Sequence, residues 1–153
     1  MSCFRPHEID YLNASDVGRL ATVAADGTVQ NSPVGFTFNA DLDTIDVSGY
    51  RMSKSRKYRN IASHPKVAFV VDDIVSRDPN RVRCLEIRGT AEQARTDEQI
   101  AEPNGDALDT EIIRITPQRI IGFGIDEPDT EPHQLVPDAR DTTASSGPST
   151  GIA

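Results

Sequence analysis

Apolar residues fall at alternate positions through most of this chain, the period of strands that lay one face on a core. Val17 to Ala24 reads as a first strand. Ala25-Asp26-Gly27 after it predicts a hairpin, because the tight turn needs positive φ. Thr28 to Asn39 is the returning strand, with Val34, Phe36 and Phe38 on one face and Gly35 and Thr37 on the other. Pro33 sits inside it with no N–H for the ladder, which predicts an edge, a bulge or an opening toward a ligand there. Asp43 to Ser48 follows as a third strand, with Ile45 and Val47 alternating.

The period then changes. Tyr58, Ile61 and Ala62 stand at helical spacing within Ser53 to Ser63; Ser53 or Ser55 can cap the start, and His64-Pro65 stops it. A second short helix is predicted over Pro6 to Ser15, where Ile9 and Leu12 share a face. Val67 to Val71 is a continuous apolar run, Asp72 to Arg81 a charged loop, and Val82 to Ala94 a long strand with Leu85, Ile87 and Ala91 on one side. Thr96 to Asp109 is polar, with a loop marked by Pro103-Asn104-Gly105. Glu111 to Ile125 is a strand interrupted at Pro117, with Ile121, Phe123 and Ile125 alternating. Farther on, proline and polar residues offer nothing to bury, so residues 1–127 are expected to form one domain and residues 128–153 a disordered tail. Mostly hairpin-linked strands without strand–helix alternation argue against a doubly wound nucleotide fold, and there is no GxGxxG or Walker-type loop. The pattern predicts a mainly β fold: an antiparallel barrel of six or seven strands with one or two short helices, closed because closure removes exposed edges.

Charge sharpens this picture. The chain carries a net charge of −8, which argues against nucleic acid as a partner, because phosphate backbones reward basic surfaces. No apolar stretch is long enough to span a bilayer, so a cytoplasmic protein with no membrane partner is expected. Cys3 and Cys84 are too few for a disulfide framework, and His7, His64 and His133 have no ligand-like spacing, so no metal is expected.

One segment breaks the acidic background. Arg51, Lys54, Arg56, Lys57 and Arg59 fall within nine residues that hold no acid, in a chain with 24 Asp and Glu against 16 Lys and Arg. They gather where a helix is predicted to begin. Cations at a helix start oppose the positive end of its dipole, and a bound anion would compensate. Ser53 and Ser55 add hydroxyl donors. A solvated basic face is the alternative.

Ser55-Arg56-Lys57, Asn60-Ile61 and His64-Pro65-Lys66-Val67-Ala68-Phe69-Val70-Val71 resemble the pyridoxamine-phosphate-oxidase-like split β-barrel family. So do Gly18-Arg19-Leu20-Ala21-Thr22-Val23-Ala24-Ala25-Asp26-Gly27, Gln30-Asn31-Ser32-Pro33-Val34, and the run from Val82 to Glu92. The resemblance spans roughly Asp16 to Asp126 and is greatest to the actinobacterial branch that uses the deazaflavin F420, in particular a subgroup with a tetracycline-pathway reductase. It implies a split barrel working as a homodimer with shared active sites. Its activity would be an F420-dependent hydride transfer between reduced F420 and a small organic acceptor, with no side-chain nucleophile. By that resemblance Ser55, Arg56 and Lys57 hold the cofactor phosphate, Asn31, Ser32, Pro33 and Val34 line the ring, and Ser48 and Gly49 border the ribityl chain. Arg51 and Lys54 are added as attractors for further negative charge. The same fold admits FMN in place of F420, or a non-catalytic carrier of F420, FMN or haem. Tyr50, His7 or solvent would deliver a proton, and the catalytic residue stays unassigned. The chain lacks the Trp-containing motifs of authentic pyridoxamine phosphate oxidases, so vitamin B6 oxidation is not implied.

Overall fold

A computed structural model describes residues 1–97 and 108–142. Helix α1 (Pro6–Asn13) precedes β1 (Val17–Val23), β2 (Val29–Asn39) and β3 (Thr44–Ser48); then come a 3-10 turn at Met52–Lys54 and helix α2 (Arg56–Ser63). The strands β4 (Lys66–Arg77), β5 (Asn80–Arg95), β6 (Glu111–Phe123) and β7 (Asp138–Asp141) complete the fold. All pairings are antiparallel in the order β3-β2-β1-β4-β5-β6-β7, and an added β3–β6 pairing closes six strands into a barrel. This is the mainly β barrel with two short helices that the alternation predicts.

The inward residues of each strand fill the barrel: Leu20, Val34, Ile45, Val47, Phe69, Val71, Leu85, Ile87, Ile113, Ile115 and Ile120 are all buried. Gly27, at φ +89°, makes the predicted β1–β2 turn. Asp72 to Arg81 is not a loop. Asp72 pairs with Cys84 and Asp73 with Arg83, so β4 and β5 run on to a two-residue turn at Asp78-Pro79. The charges that suggested a loop are satisfied across the strands: Arg83 Nη2 lies 2.6 Å from Asp73 Oδ2, and Arg19 pairs with Asp72.

Pro117 is tolerated inside β6 because a bulge falls there. Gly89 pairs with Pro117 and Arg88 with Arg119, leaving Gln118 as the extra residue. The bulge reverses the expected phase. Ile120 and Gly122 turn inward and Ile121 and Phe123 are only half-buried, the opposite of alternation on 121, 123 and 125.

The expected tail from residue 128 is also corrected. Residues 138–141 add a strand to the second half of β6, and the reason is ionic rather than apolar. Arg140 forms an ion pair with Glu8 of α1, whose side chain is 1% exposed, and donates to the Cys3 carbonyl oxygen at 3.0 Å. Arg5 pairs with Asp138 at 2.6 Å, and Thr142 Oγ1 donates to the Pro117 carbonyl at 2.7 Å. Glu8 Oε1 also accepts from the Arg5 N–H at 2.8 Å, closing the cap of α1. Residues 98–107, including the expected Pro103-Asn104-Gly105 loop, and 143–153 of the expected tail lie outside the described residues.

Candidate functional site

The cleft of interest begins where β3 ends. β3 pairs with β2 only from Gly35 to Asn39, while β1 pairs with it from Val29 to Gly35. Pro33 therefore lies in the half of β2 that has a strand neighbour on one side only, and its missing N–H breaks no ladder. A cleft of about 490 Å³ opens there, lined by Asp16, Pro33 to Thr37, Ser48 to Tyr50, Lys57 and Leu108. That volume suits a small organic ligand.

Past Ser48 the chain is fixed by Asp109, whose N–H donates to the Gly49 carbonyl at 2.9 Å. Its carboxylate accepts from Ser53 N at 3.1 Å and Ser53 Oγ at 2.7 Å, and the Ser53 bonds hold it below the usual carboxylate range. Met52, 1% exposed, anchors the 3-10 turn in the core. Ser55 then caps α2, its hydroxyl accepting from Tyr58 N at 3.2 Å and donating to the Met52 carbonyl at 2.7 Å. Those two bonds give Ser55 a role in shaping the helix start. The N–H groups of Arg56 and Lys57, in the first turn, have no intrahelical acceptor.

The inner face of α2 differs from the expected stripe. Ala62 is exposed and Asn60 is buried in its place; Asn60 Nδ2 donates to Thr22 Oγ1 at 3.0 Å and Gln30 Oε1 at 3.2 Å. A polar residue fits there because both donors find acceptors on the first β1–β2 rungs. This pins the cationic end of α2 beside β2.

None of Arg51, Lys54, Arg56, Lys57 and Arg59 forms an ion pair with a described residue, and neither do Lys66, Arg77 and Arg81, whereas Arg5, Arg19 and every arginine from Arg83 onward does; what sets the five apart is that they stand within nine residues of chain at one helix start. Lys57 lines the cleft with Pro33, Val34, Ser48 and Gly49. Arg56, its neighbour, lines a second cleft of about 560 Å³ with Asp26, Gln30 and Asn60. The two residues expected on one phosphate thus flank the helix start from different sides. Asn31 is exposed on the outer face of β2, and Ser32 has its Oγ buried with no hydrogen-bond partner among the described residues. Neither lines the cleft, and neither do the exposed Arg51 and Lys54. Asp16, Phe36 and Thr37 do line it and were not assigned from the sequence, whereas Gly35, which lines it too, stands with Pro33 where the sequence leaves backbone that a flat ring could approach. Of the two proton sources suggested, Tyr50 lies in this cleft; His7 lines another cavity, with Nδ1 3.7 Å from Asp126.

The fit to a phosphate-bearing planar cofactor is good on these grounds. Free helix N–H groups, unpaired cations and a strand wall that is open on one side meet at one end of the barrel.

Residues 6–123 match the pyridoxamine 5′-phosphate oxidase family. The chain is 43% identical over 145 residues to the 5a,11a-dehydrotetracycline/5a,11a-dehydrooxytetracycline reductase of Streptomyces rimosus subsp. rimosus, covering 94% of this chain and 96% of that protein. Among solved structures it is similar to a conserved hypothetical protein from Mycobacterium tuberculosis, with a TM-score of 0.61 at 20% identity over 84% of this chain and 89% of the other. It is also similar to an F420 reductase, with a TM-score of 0.51 at 28% identity over 71% and 91% of the two chains.

Proposed function

The chain belongs to the pyridoxamine 5′-phosphate oxidase family, and on that footing we propose that it is an F420-dependent oxidoreductase transferring a hydride between reduced F420 and a small organic acceptor. Oxidoreductase activity is supported by the 43% identity to a named reductase along nearly the whole chain. F420 is favoured over FMN by the likeness to an F420 reductase and by the supply of unpaired positive charge. The observation that carries the proposal is the unpaired cation cluster at the start of α2, beside the cleft that Lys57 lines.

In this function the Arg56 and Lys57 N–H groups and the Lys57 ammonium hold the phosphate, with Arg56 contributing from the other side of the helix start. Arg51 and Lys54 raise the local potential for further negative charge. Pro33, Val34, Ser48 and Gly49 form the walls that orient the ring and exclude water. The cofactor, when bound, supplies the hydride. Tyr50 lines the cleft, which supports it over His7 as the side chain that would deliver a proton to the acceptor, with solvent as the alternative source. The acceptor class to test first is the fused-ring compound for which the Streptomyces relative is named.

In this function the chain works as a homodimer with shared sites, which would cover some of the exposed apolar residues Val17, Val29, Ile74 and Val75. Free Cys3 and Cys84 suit the reducing cytoplasm. The direct test is to purify the protein from an F420-producing host, record its absorption, and follow oxidation of reduced F420 with 5a,11a-dehydrotetracycline as acceptor. Bound deazaflavin and turnover are expected. A flavin spectrum would reassign the cofactor to FMN, and bound cofactor without turnover of any acceptor would make the protein a carrier.

A further inference from the structure

Glycine weakens a strand by its backbone entropy, so a glycine kept in one calls for a reason. At most described positions the fold supplies it. A Cβ on Gly18 would lie 2.2 Å from the Phe69 ring, and one on Gly89 would lie 2.1 Å from the Thr116 carbonyl oxygen. A Cβ on Gly122 would press on Glu8 Oε2 at 3.2 Å, while Gly27 and Gly124 have φ of +89° and +70°. Gly35 and Gly49 have no such cause. A Cβ at Gly35 meets nothing within 4 Å, one at Gly49 makes only an ordinary contact with Met52 Cε at 3.6 Å, and neither backbone is left-handed. Both line the same cleft.

Gly35 is the more telling of the two, because it stands mid-strand. It pairs with Val17 on one side and Ser48 on the other, at the point where β2 exchanges one neighbour for the next. Pro33 and Thr37 flank it on the same exposed face, four residues and so roughly 13 Å apart along the strand. Any side chain at Gly35 would project into open space from the middle of that wall.

We propose that Gly35 is a specificity-determining residue, leaving bare backbone in the middle of the cleft wall so that a planar fused-ring system lies flush against β2 between Pro33 and Thr37. The proposal deepens the redox function above and rests on it. The ring is that of the cofactor or of a fused-ring acceptor, and the two are separable by experiment.

The test compares wild type, Gly35→Ala, Gly35→Leu and Lys57→Ala in the full chain. It measures thermal stability, sedimentation, and dissociation constants for F420, FMN and 5a,11a-dehydrotetracycline. Gly35→Ala should melt about 1–4 °C above wild type, because a site with room and ordinary φ gains from a stiffer unfolded chain. Gly35→Leu should fold yet bind a ring on the order of 10- to 100-fold more weakly, as overfilling a packed site does. Loss of F420 and FMN affinity assigns the ring to the cofactor. Loss of 5a,11a-dehydrotetracycline affinity with F420 unchanged assigns it to the acceptor. Affinities within twofold of wild type for all three overturn the proposal, and so does a loss explained entirely by a broken dimer in sedimentation. If Gly35→Leu is silent while Lys57→Ala weakens the cofactor, this proposal alone fails; if both are silent, the redox function fails with it.

Discussion

Where the two ends of the chain meet, each arginine is answered by a carboxylate: Arg140 by Glu8, Arg5 by Asp138. Around the start of α2, five cations form no ion pair with a described residue. Scarcity does not explain the contrast, since acids outnumber bases by 24 to 16. In the first region the charges neutralise one another and fix chain segments, so their energy is already spent in the fold. In the second the positive charge is not neutralised by ion pairs, and in the proposed function it and the two free N–H groups of the helix start serve a bound anion. In the proposed function the paired cations at the termini serve stability and the cluster at the start of α2 serves binding, and substitutions should separate the two.

The largest effect is expected inside the barrel seam. Asp46 accepts from Arg114 Nε at 3.1 Å and Nη2 at 3.0 Å, from Asn39 Nδ2 at 2.9 Å and from Thr44 Oγ1 at 3.0 Å, joining β3 to β6. Asp46→Ala would strand Arg114, whose side chain is 20% exposed, and should lower stability by about 3–5 kcal/mol in urea unfolding. A loss under about 1 kcal/mol would mean water replaces the carboxylate there.

Next comes the clamp of the termini. Truncation after Asp129 removes Arg140 and β7 and leaves Glu8 with only its helix cap. A loss of about 2–3 kcal/mol is expected, smaller than for Asp46 because water can reach the vacated side. Unchanged unfolding of the truncated chain would show that β7 merely rests on β6.

Acid should expose the same division. Asp73 is held below the usual carboxylate range by its bond from Arg83, Asp138 by Arg5, and Asp109 by Ser53. Each binds its proton less readily folded than unfolded, so it contributes stability that is present above about pH 4 and lost as pH falls further. The melting temperature should therefore be level from about pH 7 to 5 and drop below about pH 4. Asp138→Asn should make that drop shallower, while Lys57→Ala should not alter it.

What the sequence made legible followed period and punctuation. Alternation placed β1 to β3 within a residue or so, Asp26-Gly27 marked their turn, and Pro33 announced an open strand before any pairing was visible. Charge misled where strands satisfy it across a ladder, as with Asp73 and Asp72, because linear reading cannot see partners 10 and 53 residues away. It misled again in the tail, where Arg140 reaches a carboxylate 132 residues earlier and no local pattern signals it. At the site, the cluster was visible as composition, but the division of Arg56 and Lys57 between two clefts depends on the rotation of consecutive helix positions about α2. Ser55 caps α2 as the sequence allowed. Gly35 was visible as a strand glycine, yet its lack of any structural cause required the neighbours on β1 and β3.

The central claim, that the unpaired cations serve a phosphate and not the fold, is tested most directly on Lys57. The measurement is a fluorescence titration of F420, with FMN in parallel, into wild type, Lys57→Ala and, as a control, Arg95→Ala, which removes a cation 71% exposed and paired with Glu111. Charge-assisted bonds to phosphate contribute about 1.5–3 kcal/mol, so Lys57→Ala should weaken binding by roughly 10- to 150-fold while unfolding stability stays within about 0.5 kcal/mol of wild type. Arg95→Ala should bind as wild type does. Equal cofactor affinity in wild type and Lys57→Ala, or a Lys57→Ala protein that loses stability as a clamp residue would, contradicts the account.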